Sequence, residues 1–357
     1  MNLMSGVSSK QVATDRLRVH YLESGPPNGT PVVLVHGNLS TARFYEHVMS
    51  GAPDRYRLLA PDMRGFGDTE RLPIDATRGL ADWADDTHAL VMALGIQEPP
   101  HLVGWSTGGA AIAQYARDRP VASLTFVDPV SAYGYGGVKP DGSPCFPDFA
   151  GSGGGTGSPE FTQRIADGDR SADSPFSPRN VLNSSYWRPD HREPQDREDI
   201  LVEEMLKSVT GEDGYAGDLT PSANWPGIAP GTRGILNALS PKYCNWSGIV
   251  DLEPKPPVLW THGTADIVVA DESAWEMGTL GKLGVVPGWP GAEAFPPQLM
   301  VTQIRNLLER YAQGGGRGAD GDVRGLRPCP HVRRRGALEG SLLRVPGGGA
   351  GHSLTRK

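Results

Sequence analysis

Cysteine is scarce in this chain of 357 residues. The three present, Cys145, Cys244 and Cys329, lie far apart and form no C-x-x-C spacing. That argues against a zinc site and a disulfide framework, and suits a reducing compartment. No apolar run approaches the ~18 residues of a membrane span. The N-terminal stretch MNLMSGVSSKQVATDRLRVHY has no continuous apolar core of the secretory type. A basic surplus is missing as well: 34 Lys and Arg face 41 Asp and Glu, a formal charge of −7. Nucleic acid is therefore not the expected partner. The expectation is a soluble, cytoplasmic protein acting on a small molecule, with neither nucleic acid nor membrane as partner.

Glycine and proline are abundant, at 47 and 32 residues, which predicts many turns and long loops rather than a helical bundle. From about residue 10 to 128, apolar β-branched runs alternate with helical spacing. Strands are predicted over 17–22, 32–35, 56–60, 101–103 and 122–127, and helices over 80–94 and 109–117. The run 32–35 ends at His36-Gly37 and is apolar throughout, as expected of a strand covered on both faces. Such alternation predicts an α/β fold with a mostly parallel sheet and helices on both faces.

Composition shifts near Ser131 into a glycine- and proline-punctuated stretch with scattered aromatics, in which only 200–209 reads as a clear helix. The sheet pattern resumes with a strand over 257–261 and an amphipathic helix over 298–311. The middle thus reads as an insertion into one α/β domain. Residues 318–357 hold nine glycines and seven arginines, with no predicted strand or helix.

The sharpest chemical signal is Gly104-Trp105-Ser106-Thr107-Gly108, a G-x-S-x-G sequence between a predicted strand and a small-residue helix. A strand-to-helix turn this tight needs small residues at its flanks, and it pushes the serine hydroxyl into the open. Ser106 is the expected nucleophile.

VVLVHGN, APDMRGFGDTE, LVGWSTGG and PVLWTHGTADIVV, in that order, resemble the α/β-hydrolase superfamily over roughly residues 10–315. The resemblance implies a core of residues 10–130 and 250–315 with a cap insertion over 131–249, and leaves 316–357 as an irregular tail. It also implies a catalytic triad without metal or organic cofactor. The oxyanion donors would be the backbone N–H groups of Thr107 and of Asn38, in the loop after the early strand, with His36 shaping that loop. Asp266, at the carboxyl end of a buried strand, occupies the usual place of the triad acid, and Asp128 the rarer alternative. The base should follow the last strand in a G-x-G-H-like turn. Beyond Asp266 the chain offers only His331, in RPCPHVRRR, and His352, in GGAGHSL. Aromatic residues of the insertion, among them Tyr135, Tyr186, Trp187 and Trp246, read either as a pocket lining or as that segment's own core.

The activity implied is cleavage of a hydrophobic carboxylic ester or lactone through an acyl-enzyme. A cofactor-free haloperoxidase (perhydrolase) uses the same triad, and a non-catalytic or disabled relative is the reading of a different class. Asp-nucleophile dehalogenases and epoxide hydrolases fit less well, because Ser106 stands where they carry Asp.

The missing base motivates one further expectation, that the chain beyond about Arg317 is translated out of frame. Reading the codons from Gly318 one nucleotide later permits V-R-T-E-M-F-E-G-S-G-H-A-P, a strand followed by a G-x-G-H turn. Continuing from His331 into Glu339, the same shift permits M-F-D-A-A-E-R-W, the start of a helix.

Overall fold

A computed structural model describes residues 3–323, with side chains for 3–318. His331 and His352 lie outside the described residues. The chain opens with a hairpin of β1 (Val7–Ala13) and β2 (Arg18–Ser24), followed by β3 (Thr30–Val35), α1 (Glu46–Ser50) and β4 (Tyr56–Pro61). Next come α2 (Ala81–Ala93), β5 (His101–Trp105), α3 (Thr107–Asp118) and β6 (Ser123–Val127). The stretch that follows carries α4 (Pro159–Ala166), α5 (Pro178–Ser185) and α6 (Gln195–Leu206). Two small strand pairs come after them, β7 (Thr210–Gly211) with β8 (Tyr215–Ala216) and β9 (Leu219–Pro221) with β10 (Ile228–Pro230), and then α7 (Ile235–Ala238). The main pattern returns with β11 (Val258–Gly263), α8 (Met277–Lys282), α9 (Met300–Gln313) and β12 (Gly318–Val323).

Eight strands make the main sheet in the order β1-β2-β4-β3-β5-β6-β11-β12. The two contacts made by β2 are antiparallel, and all the others are parallel. Val33, Leu34, Val35, Leu102 and Leu124 have no exposed surface, as expected for central strands covered on both faces. This is the α/β architecture the alternation predicted.

Three expectations need correction. First, β1 was not foreseen: its sequence VSSKQVA is mostly exposed, and it forms because a tight turn, with Thr14 N–H donating to Leu17 O at 3.0 Å, folds it back onto β2. Second, the stretch between β6 and β11 holds more helix than 200–209 alone. Ser158 and Ser177 accept from the N–H groups of Phe161 and Asn180, and a proline follows each at the first helical position. Those are strong helix starts even where the hydrophobic period is short. Third, the stretch from 316 is not wholly irregular. Residues Gly318–Val323 pair in parallel with β11, from Val258↔Gly318 to Gly263↔Val323. An edge strand needs backbone partners rather than apolar side chains, and β11 supplies them. His331 therefore does have a strand before it, eight positions upstream in sequence.

The stretch between β6 and β11 is tied to the main sheet's side of the molecule beside the loop that follows β3. Arg197 of α6 pairs with buried Glu46 and donates to the Arg43 carbonyl, while Thr41 Oγ1 donates to Glu204 Oε2 at 2.9 Å. All these side chains are buried. Burial raises the Glu204 carboxyl above its ordinary range.

Candidate active site

Ser106 sits between β5 and α3 with φ 52° and ψ −116°, a conformation that costs a non-glycine residue about 1–3 kcal/mol. The surrounding glycines show why it can be held there. A Cβ on Gly104 would lie 2.3 Å from the Gly108 carbonyl oxygen, and one on Gly108 would lie 2.1 Å from that of Val35. Gly37 is also near: its Cβ would stand 3.1 Å from Ser106 Cβ. The first turn of α3 is thus pressed onto the end of β3, and the loop after β3 lies against the serine.

That loop has a defined direction. The Gly37 carbonyl receives hydrogen bonds from His36 Nδ1 (2.7 Å) and Ser40 Oγ (2.8 Å). Because a trans peptide is planar with C=O and N–H opposed, fixing the Gly37 carbonyl fixes the Asn38 N–H in the opposite direction. The N–H groups of Asn38 and Thr107 donate to no described residue. Nearby, Asn38 Oδ1, Thr107 Oγ1 and Trp105 Nε1 are buried without a hydrogen-bond partner among the described residues. Unsatisfied polar atoms gathered around one serine mark a place built for something other than stability.

His36 is fully buried, and its Nε2 accepts the Met63 N–H at 2.9 Å, so Nδ1 carries the proton that Gly37 receives. Burial pulls its pKa from 6.5 down to about 4. The unfolded chain therefore binds a proton between about pH 6.5 and 4 that the folded chain refuses, and stability must fall as pH drops through that window. Folding stability at pH 5 should be about 2 kcal/mol below that at pH 7 from this residue alone. Urea melts of wild type and His36→Gln at both pH values check this: the variant should lose that part of the pH slope.

The acid candidates meet where β6 and β11 end. Val127 pairs with Thr261, so Asp128 and His262 stand side by side, with His262 Nδ1 3.3 Å from Asp128 Oδ1. Asp128 is buried at φ 42°, and its Oδ1 accepts the Gly263 N–H at 2.6 Å. Burial pushes its carboxyl above the usual range. Asp266 is also buried, and its Oδ1 accepts the N–H groups of Val268 (2.7 Å) and Val269 (3.1 Å). Ligand atoms of Asp128, His262 and Asp266 all lie within 4.8 Å of one another, as do those of His20, Asp62 and Asp68. In the second group Asp62 is committed to His20 (2.7 Å) and to the N–H groups of Ala42 and Asp68.

The structure thus brings Ser106, Thr107 and the loop carrying Asn38 together, and gathers both acid candidates at neighbouring strand ends. Sequence reasoning set His262 aside, although the parallel register makes it Asp128's neighbour. It also left the aromatics undivided. Trp187 and Trp246 are buried, the latter stacked on Phe126 at 5.2 Å, so they are core. Two tyrosines instead brace the site: Tyr135 Oη donates to Val268 O at 3.0 Å, and Tyr186 Oη to Asn38 O at 3.0 Å.

A family model described as the alpha/beta hydrolase fold matches residues 30–291. Among characterised sequences, the chain is 36% identical over 100 residues to a cis-3-alkyl-4-alkyloxetan-2-one decarboxylase of Xanthomonas campestris pv. campestris, covering 26% of this chain and 33% of that protein. It is 33% identical over 136 residues to the probable oxidoreductase EphD of Mycobacterium tuberculosis, covering 35% of this chain and 23% of that protein. The chain therefore matches a third or less of the length of these relatives. Among solved structures, a probable hydrolytic enzyme of Pseudomonas aeruginosa aligns with TM-score 0.58 at 17% identity, over 97% of this chain and 96% of the other. A putative aryl esterase from Burkholderia cenocepacia aligns with TM-score 0.57 at 18% identity, over 94% and 96%. At such identities these two likenesses speak to the fold.

Proposed function

The chain belongs to the α/β-hydrolase family, and we propose that within it this protein is a serine hydrolase of carboxylic esters or lactones. The observation that carries the reading is the strained Ser106 turn, with the loop after β3 packed against it and the N–H groups of Asn38 and Thr107 donating to no described residue. Ser106 Oγ attacks the ester carbonyl as a histidine base takes its proton, and the two N–H groups hold the oxygen that becomes negative. The C–O bond to the alcohol then breaks, the alcohol leaves with that proton, and water repeats the sequence on the acyl-enzyme. Asp266 orients the histidine. His331, which follows β12 in sequence, is the base of first choice and His352 the second. Residues 131–249 act as the cap over Ser106. A lactone is a cyclic ester, and the oxetan-2-one in the name of the Xanthomonas relative keeps that class in the proposal.

The test is a panel of p-nitrophenyl esters of rising acyl length, together with a lactone, run beside fluorophosphonate labelling mapped to the modified residue. Turnover with labelling at Ser106 is expected. Labelling of another serine would overturn the assignment.

A second reading concerns the tail and rests on one observation. The six residues of β12, GADGDV, are poor strand formers paired to the apolar β11, and they occupy the codons whose shifted reading is V-R-T-E-M-F. In that reading the chain as translated is a disabled hydrolase, and restoring the frame restores a strand, a G-S-G-H turn and activity. Resequencing the coding DNA decides it, since an intact frame whose shifted reading encodes no such histidine turn ends the idea.

A further inference from the structure

We infer that Tyr186, on the inserted segment, is a positioning residue for the oxyanion-binding loop, so that the loop is fully restrained only while the insertion is seated. The inference rests on the serine-hydrolase reading above and deepens it. Tyr186 Oη lies 3.0 Å from Asn38 O and 3.2 Å from Leu39 O, donating one shared proton to two consecutive carbonyls. Among the described residues no backbone N–H donates to either carbonyl. With Gly37 O already held by His36 and Ser40, three successive carbonyls of this loop are pinned, two of them by a residue 148 and 147 positions away in sequence. Leu39 needs such a hold, because it sits at φ 50° in the left-handed region that a leucine leaves when released.

The ring is fixed by the catalytic side as well. It packs edge-on against Trp105, the residue before Ser106, with centroids 5.7 Å apart at 76°, and tilted against Phe44 at 5.8 Å. Its backbone closes α5, with the Tyr186 N–H donating to Leu182 O at 3.1 Å. One side chain therefore touches the insertion, the residue preceding the nucleophile and the loop that carries an oxyanion donor. Lifting the insertion removes the phenol from Asn38 O and Leu39 O and frees the Asn38–Leu39 peptide, so that Asn38 keeps only the restraint on its N–H side that His36 and Ser40 give through Gly37 O. The donor residue is thus held on both of its peptides only while the insertion is seated.

Tyr186→Phe keeps the ring packing and deletes the donor. Loss of a whole oxyanion donor costs about 10²–10³ in kcat, and a misaimed donor costs less. The expected result is a fall in kcat of about 10-fold with KM within twofold, and a parallel slowing of Ser106 labelling by a fluorophosphonate. Amide hydrogen exchange over residues 37–41 should quicken, while the far-UV spectrum is unchanged. A raised KM with unchanged kcat would make the phenol a substrate contact and overturn the proposal. Unchanged kcat and exchange would overturn it too, as would a variant that no longer folds, which would make the phenol a fold-holding group. If wild type turns over no ester, the serine-hydrolase reading fails by itself. The exchange measurement then still decides whether the phenol holds the loop: faster exchange sustains that contact and unchanged exchange removes it.

Discussion

Ser106→Ala should lower kcat for a p-nitrophenyl ester by about 10⁵-fold with little change in KM. Removing a nucleophile that acts as a unit with its base eliminates the covalent route altogether, and what survives comes from the oxyanion donors and binding alone. The variant should keep its fold, because alanine is smaller than serine and the turn is enforced by Gly104, Gly108 and Gly37 rather than by the hydroxyl. Steady-state kinetics on purified protein, after removal of contaminating esterases, measures the ratio. A loss of less than 10-fold would mean that the chemistry lies elsewhere.

The readability of this turn in the sequence has a physical cause. Its requirements are local: a backbone that doubles back between β5 and α3 leaves no room for Cβ atoms at Gly104 and Gly108, so steric need is written as glycine at fixed offsets. Central strands are legible for the same kind of reason, since burial on both faces favours runs of apolar side chains. Elements whose reasons are remote were not legible. The exposed β1 exists because β2 offers it partners, and β12 because β11 does. His262 became Asp128's neighbour through the pairing of Val127 with Thr261, which no local pattern announces. Tyr186 was one aromatic among several until a contact spanning 148 positions singled it out. Sequence period reports what a residue is buried against; it does not report which carbonyl a phenol will find.

The choice between the two acids follows from what each carboxylate already holds. Asp128 spends Oδ1 on the Gly263 N–H at 2.6 Å, bracing the end of β11, and faces His262 Nδ1 at 3.3 Å. Its buried carboxyl is pushed up, which suits a group that supports its neighbours better than one that steadies an imidazolium. Asp266 instead takes both its backbone bonds, from Val268 and Val269, on Oδ1. They fix its side chain through a single oxygen, and in the serine-hydrolase reading a carboxylate so fixed orients the histidine. Tyr135 reinforces this loop by donating to Val268 O, so the Asp266 carboxylate is held from both sides of one peptide segment. Asp266→Asn should therefore lower kcat by about 10³–10⁴-fold, because an amide holds the wrong tautomer and gives the imidazolium no charge partner. Asp128→Asn should cost less than about 10-fold in kcat, since an amide oxygen can still accept the Gly263 N–H. Measuring both variants on one ester across pH 5–9 separates the roles. The reverse ranking, with Asp128→Asn the crippled variant, would move the orienting carboxylate to the end of β6.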